Sequence, residues 1–292
     1  MCGIAGFVND MPIDVKCPVL QRMTDMIAHR GPDSEGHYID EHAALGHRRL
    51  SIIDLGGGQQ PIYNEDGSKV ITFNGEIYNY QTLREELIAA GHTFTTKSDT
   101  EVLLHGYEQW GVDLLQRVRG MFTFVIWDKN KQELFGARDH FGIKPFYYAK
   151  MNGTFMYASE IKSLLRHPDF VKELNAEALK PYMTFQYPAI GETFFKGVYK
   201  LPEGHYFTYR DGKMDIHRYY DEDFREGKQK LGELVNSIDQ TVCDSVKAHQ
   251  IADVDVPRAG DDLHRLRLTN VDLHDPHVVG VFMALHLENF AD

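Results

Sequence analysis

Short apolar runs, each soon broken by Gly, Asp or Pro, fill the first two-thirds of this chain of 292 residues. Runs of that length suit strands, since a helix needs a longer periodic stretch, so sheets with a few helices between them are expected. Residues 4–8, 45–53 and 70–73 read as strands, with turns at 56–58 and 64–67. Residues 121–127 and 133–137 form a hairpin around 128–131, and further strands run to about Tyr219. Leu20, Met23, Met26 and Ile27 recur at helical spacing up to the stop at Gly31 and Pro32. Residues 80–90 are amphipathic and end at Gly91, Ser98 or Asp99 caps a helix through Tyr107, and another helix lies near 159–165. A charged linker over 221–230 leads into a long amphipathic helix with Leu231, Leu234, Val235, Ile238, Val242 and Val246 on one face.

With 42% hydrophobic and 25% charged residues, the composition is globular, and the length suits one large domain or two smaller ones. The formal charge of −12, with no basic run to offset it, argues against nucleic acid as a partner. No segment has the apolar length of a membrane-spanning helix, and no secretory leader is visible, so no membrane partner is expected. Three cysteines, odd in number and far apart, suit a reducing cytoplasm better than a disulfide framework, and the expected location is cytoplasmic.

Cys2 stands apart from Cys17 and Cys243, which read as ordinary thiols. The small side chain at position 2 favours removal of Met1, which would join a thiol nucleophile and a free α-amine in one residue. An α-amine titrates near about 7.7–8, so it can serve as a base close to neutrality. Four other segments carry polar groups in telling places. Arg48 and Arg49 interrupt an apolar strand, where a solvated edge is the plain reading. Asn74 and Glu76 flank Gly75, at which the backbone can approach a ligand or merely turn. Residues 98–101 read as a helix N-cap. Arg30 and Asp33 frame a helix stop and turn, and read as scaffold.

Taken in order, these segments resemble a known family. MCGIAG at 1–6, HRGPDSEG at 29–36, GHRRLSIID at 46–54, NGEIYN at 74–79, SDTE at 98–101, GMFTFVIWD at 120–128 and ARDHFGIKPFYYA at 137–149 are similar to class II glutamine amidotransferases. Within that class they most resemble the glutaminase domain of glutamine-hydrolysing asparagine synthetases. The resemblance implies an α+β fold: the four-layer αββα arrangement of N-terminal-nucleophile hydrolases, with two stacked antiparallel sheets over residues 1–220. It implies that Cys2 attacks the side-chain amide of L-glutamine, forming a thioester and releasing ammonia. Asn74 and the Gly75 N–H would form an oxyanion hole. Arg49 would grip the substrate α-carboxylate, Glu76 and Asp99 the α-ammonium, and Leu50, Ser51, Ile52 and Ile53 would line the pocket. No metal or cofactor is implied for this step.

The resemblance runs to about Pro257. Residues 231–257 match the start of the family's ATP-binding synthetase domain, a fragment of a second α/β domain. The Ser-Gly-Gly-x-Asp-Ser loop that would cradle ATP phosphates does not follow. The chain is therefore expected to be truncated, with no site for the ATP and Mg2+ of the full-length reaction. Residues 258–292 are unlike the family and read as a substituted or frameshifted tail. Its His264, His274, His277 and His286 lie near Asp261, Asp262 and Asp275 but fit no strong metal pattern. A synthetase domain in trans, or a second copy of the chain, is the implied protein partner. A non-catalytic remnant that binds glutamine or a partner, or the glutaminase of another class II amidotransferase, is the alternative.

Overall fold

The computed structural model describes residues 2–187, 191–224 and 230–251. Residues 1–220 form one compact unit, and residues 221–292 fall in a second.

In the first unit the elements are β1 (Gly3–Val8), α1 (Ile13–Asp25), β2 (Ser34–Ile39), β3 (Ala43–Arg49), β4 (Ile62–Tyr63) and β5 (Lys69–Ile77). There follow α2 (Tyr80–Ala89), α3 (Asp99–Trp110), β6 (Gly120–Asp128), β7 (Glu133–Arg138), β8 (Tyr147–Met151) and β9 (Thr154–Ala158). The unit closes with α4 (Ile161–Leu164), α5 (Ala176–Phe185), β10 (Val198–Lys200), β11 (His205–Arg210) and β12 (Lys213–Arg218). The strands form two six-stranded sheets, ordered β10-β8-β9-β1-β3-β2 and β12-β11-β7-β6-β5-β4. Every pairing is antiparallel.

Three buried apolar clusters define the layers. Phe7, Leu20, Met23 and Met156 pack α1 and α4 on the outer face of the first sheet. Ile4, Leu45, Val125, Trp127, Phe155 and Phe207 fill the space between the sheets. Phe73, Leu87, Leu103, Leu104 and Phe124 hold α2 and α3 against the outer face of the second sheet. Strand side chains alternate between faces, so one strand feeds two of these clusters, as Ile4 and Phe7 of β1 do. The result is the expected four-layer α+β architecture.

Three local expectations need correction. The strand expected over 45–53 ends at Arg49, because Leu50, Ile52 and Ile53 line a cleft instead of continuing the ladder. The helix expected up to residue 30 ends at Asp25, with a separate single turn at Ala28–Arg30. Where only strands were expected beyond residue 165, α5 forms despite Pro181 within it.

The second unit contributes α6 (Leu231–His249), with Glu233 accepting from the Lys230 N–H to close its first turn. Its apolar face is partly exposed, with Leu231 and Val235 open to solvent. The strand expected from residue 252 and the tail over 258–292 lie outside the described residues.

Candidate active site

Cys2 sits just ahead of β1, and the register that pairs Gly3 with Arg48 carries it to the end of β3. The Leu50 N–H donates to Cys2 Sγ at 3.4 Å, and the thiol lies 3.5 Å from the Leu50 carbonyl oxygen. Arg30 Nε donates to the Cys2 carbonyl at 2.9 Å and its Nη1 reaches Glu160 at 3.1 Å, so this backbone is held from outside the sheet. Burial pushes the thiol pKa up and Asp99 adds to the rise, while the Leu50 hydrogen bond and Arg49 pull it down. The net shift is upward, so a base must remove the proton before Cys2 can attack.

The opposite wall of the cleft comes from an interrupted sheet edge. β4 is only two residues long, pairing Ile62 with Ile71 and Tyr63 with Val70. Beyond Ile71 one edge of β5 has no neighbouring strand among the described residues. In an antiparallel strand alternate residues point their N–H groups to the same edge. Phe73 N–H donates to Gln60 Oε1 at 2.6 Å and Ile77 N–H to Asp99 Oδ2 at 3.0 Å, so both face this open side. Gly75 lies midway between them, and its N–H points out of the same edge. A Cβ at Gly75 would overlap the Met121 carbonyl oxygen on β6, so this position admits no side chain. The neighbouring Asn74 side chain is 1% exposed, and neither its nitrogen nor its oxygen has a hydrogen-bond partner among the described residues. A buried amide left unpaired costs stability, commonly about 1–3 kcal/mol, and such groups cluster where a ligand supplies the missing bonds.

Arg49 is buried at the cleft floor, and its Nη2 donates to the carbonyls of Ile53 at 3.0 Å and Asp54 at 2.6 Å. Gly58 leaves room for the guanidinium, since a Cβ there would lie 2.8 Å from Nη2. These bonds bend residues 50–54 into a loop around the arginine, and Asp54 takes the left-handed backbone conformation with φ of 53°. Arg48, its neighbour, faces outward to pair with Asp25 and Glu35. Asp33 fixes the same loop by accepting from the Ser51 N–H at 2.7 Å. Leu50, Ile52 and Ile53 line the cleft; Ser51, expected with them, does not.

Asp99 opens α3 behind its N-cap Ser98, whose hydroxyl accepts from the Thr100 N–H at 3.2 Å. Burial, with the carboxylate of Glu76 adding to it, raises the Asp99 carboxyl to about 7 against the hydrogen bonds from Ile77, Ser98 and Thr100. A cation arriving between Asp99 and Glu76 would restore the ordinary charged state. The cleft thus pairs a buried guanidinium with two carboxylates, a layout that fits a zwitterionic amino acid.

Cys2, Arg49, Asn74, Gly75, Glu76 and Asp99 all line this one cleft. Gln60 and Lys144 are among the lining residues that had not been singled out. Gln60 bridges the layers, since its Nε2 donates to Thr100 Oγ1 at 3.2 Å while its Oε1 holds Phe73. Lys144 is 3% exposed, and burial lowers its pKa against the opposing carboxylates of Glu76 and Asp139. Its place is set by two adjacent buried residues, the last of β7 and the one that follows it. Asp139 accepts from the N–H groups of Phe122, Phe141, Ile143 and Lys144, and Arg138 donates to the carbonyls of Gly142, Lys144 and Leu201. The segment 137–149 signalled the family, but none of its residues was given a place at the cleft.

Two stacked antiparallel sheets thus lie between helical layers, with a cysteine at the head of β1 facing a polar cleft. The fold is shared with glutamine phosphoribosylpyrophosphate amidotransferase from B. subtilis, with a TM-score of 0.57 and 18% identity, covering 76% of this chain and 50% of that one. The sequence profile of the glutamine amidotransferase domain matches residues 1–220, and the chain belongs to that family. Asparagine synthetase [glutamine-hydrolyzing] 1 of Bacillus subtilis (strain 168) is 44% identical over 260 residues, 88% of this chain and 41% of that protein. Amidase chry2 of Gibberella zeae is 34% identical over 279 residues, 88% of this chain and 40% of that protein. The chain thus spans about two-fifths of the length of these relatives. No helix among the described residues is long and apolar enough to cross a membrane.

Proposed function

We propose that this chain hydrolyses L-glutamine to L-glutamate and ammonia, with Cys2 as the nucleophile. The observation that carries this reading is the unpartnered Asn74 amide beside the outward-facing Gly75 N–H, across one cleft from Cys2 Sγ. Two donors converging opposite a thiol suit an oxyanion that forms only during reaction.

With Met1 removed, the α-amine of Cys2 takes the thiol proton. The thiolate then adds to the side-chain amide carbon of glutamine, and the new oxyanion is held by Asn74 Nδ2 and the Gly75 N–H. The α-ammonium returns its proton to the departing nitrogen as the C–N bond breaks, releasing ammonia and leaving a thioester. Water, deprotonated by the same amine, adds to the thioester, and collapse gives glutamate and restores the thiol. Arg49 orients the α-carboxylate and Asp99 with Glu76 the α-ammonium. This double requirement rejects analogues that leave a buried charge unpaired. Every proton in the cycle moves between Cys2, substrate and water, so the step uses no metal or cofactor. ATP and Mg2+ belong to the amidation of aspartate in the asparagine synthetases, which we assign to a synthetase domain outside the described residues or in a second chain.

Purified chain should release glutamate from glutamine without ATP, and Cys2→Ala should not. A diazoketone analogue of glutamine should alkylate the peptide that begins at Cys2, adding the reagent's mass less the N2 expelled as the C–S bond forms. Equal glutamate release by the two proteins, or labelling at Cys17 or Cys243 instead, would overturn the reading.

A further inference from the structure

Beside α3, four side chains from three segments meet at one point. Glu65 comes from the β4–β5 turn, His92 from the loop after α2, and His105 with Glu108 from successive turns of α3. One ligand atom from each lies within 4.8 Å of every other. His105 Nδ1 is 3.1 Å from Glu108 Oε2 and 3.3 Å from Glu65 Oε2, and His92 Nδ1 is 3.2 Å from Glu65 Oε1. Zinc bonds to nitrogen and oxygen run about 2.0–2.1 Å, which makes the edge of a coordination tetrahedron roughly 3.4 Å. These contacts already approach that edge.

The outward atoms of the cluster supply an independent observation. Metal-binding imidazoles turn their second ring nitrogen to an oxygen acceptor, which fixes ring orientation and tautomer. Here His92 Nε2 faces Gln109 Oε1 at 3.3 Å in this way, while His105 Nε2 is buried 3.5 Å from Glu101 Oε1 without a hydrogen bond to it. The carboxylates are held likewise. Asn64 Nδ2 donates to Glu108 Oε1 at 2.7 Å, with Lys69 Nζ 3.4 Å from the same atom, and the Thr93 N–H donates to Glu65 Oε1 at 3.0 Å. His92 and both carboxylates thus have a hydrogen-bonded outer partner. His105 is 1% exposed and buried against Phe94, whereas Glu65 and Thr93 also line a solvent-open groove that gives an ion a way in.

We propose that Glu65, His92, His105 and Glu108 form a zinc site that ties the β4–β5 turn and the α2–α3 loop to α3. Two imidazoles and two carboxylates make a neutral complex with Zn2+, and binding releases the proton otherwise shared by His105 and its carboxylates. The site uses none of the residues that line the cleft, so it stands whether or not Cys2 is a nucleophile.

Equilibrium dialysis of the full chain against Zn2+, with its three thiols alkylated, tests the proposal. One tight Zn2+ is expected per chain, and tetrahedral Co2+ bands should appear on substitution. Loss of a ligand should weaken that binding by at least about 100-fold. His92→Gln and Glu65→Gln sit at the rim and spare the core, so folding is preserved in both. His29→Gln, which breaks a surface pair with Glu160, is the control and should bind as the parent does. Absence of a tight site, or parental affinity in both rim variants, overturns the proposal.

Discussion

Asn74 separates binding from turnover more sharply than any other residue of the cleft. Its amide is buried and unpaired at rest, so removing it takes away a bond formed only as the substrate carbonyl becomes an oxyanion. Asn74→Ala should lower kcat by about 10²–10³-fold with little change in KM, measured by glutamate release. Asp99 does the reverse. Its carboxyl titrates at about 7 in the fold, above its value in the unfolded chain, so the folded state holds the extra proton between those values. Stability contributed by that proton is full below the unfolded pKa and is lost as pH rises through about 7. Asp99→Asn should therefore raise Tm at pH 8, with the gain vanishing towards pH 4, while glutamine binding weakens by at least about tenfold. Calorimetry on Cys2→Ala protein, which has no titrating nucleophile, isolates the binding effect. There Kd should rise as pH falls below about 7 and the carboxylate is lost.

Among the elements, β5 bears the strictest demand. Gly75 stands against the Met121 carbonyl on β6, and a methyl group there must push two central strands apart. Gly75→Ala should cost about 3 kcal/mol or more of stability, read by urea unfolding, and abolish turnover in whatever folds. Elements also show where sequence was legible. Strands β1, β5, β6 and β7 alternate in side-chain burial or sit wholly inside, so their apolar runs mark them. Leu50, Ile52 and Ile53 carry the same apolar signal but line a cleft, because hydrophobicity alone does not distinguish a core from a pocket wall. Helix α5 was missed for the opposite reason. Its Leu179, Met183 and Phe185 are exposed, so no covered face imposes helical spacing, and Pro181 reads as a stop. Cys2, Arg49, Asn74 and Asp99 were legible through short motifs. Gln60 and Lys144 were not, because what brings them to the cleft is a long-range clasp of Phe73 with Thr100 in one case and the Arg138–Asp139 pair in the other.

For the whole molecule, the boundary at Tyr220 is also where the contacts that complete the first unit stop. Tyr219 donates its hydroxyl to the Arg138 carbonyl at 2.7 Å and accepts from Gln116 at its own carbonyl at 2.8 Å. A chain of residues 1–220 should therefore fold and hydrolyse glutamine with the kcat of the full chain. One ending at residue 210 should lose both β12 and this latch, and its Tm should drop. Circular dichroism and glutamate release check both.

The shortness of β4 decides more than the width of a sheet. Four more paired residues there, back to Gly58, would give the Gly75 N–H a carbonyl of its own and seal the edge of β5. Such a protein would be better knit and chemically silent. The capacity proposed for this cleft is, in that sense, an unfinished ladder: a rung left vacant, with the neighbouring rungs taken by Gln60 and Asp99 so that only the useful one stays open.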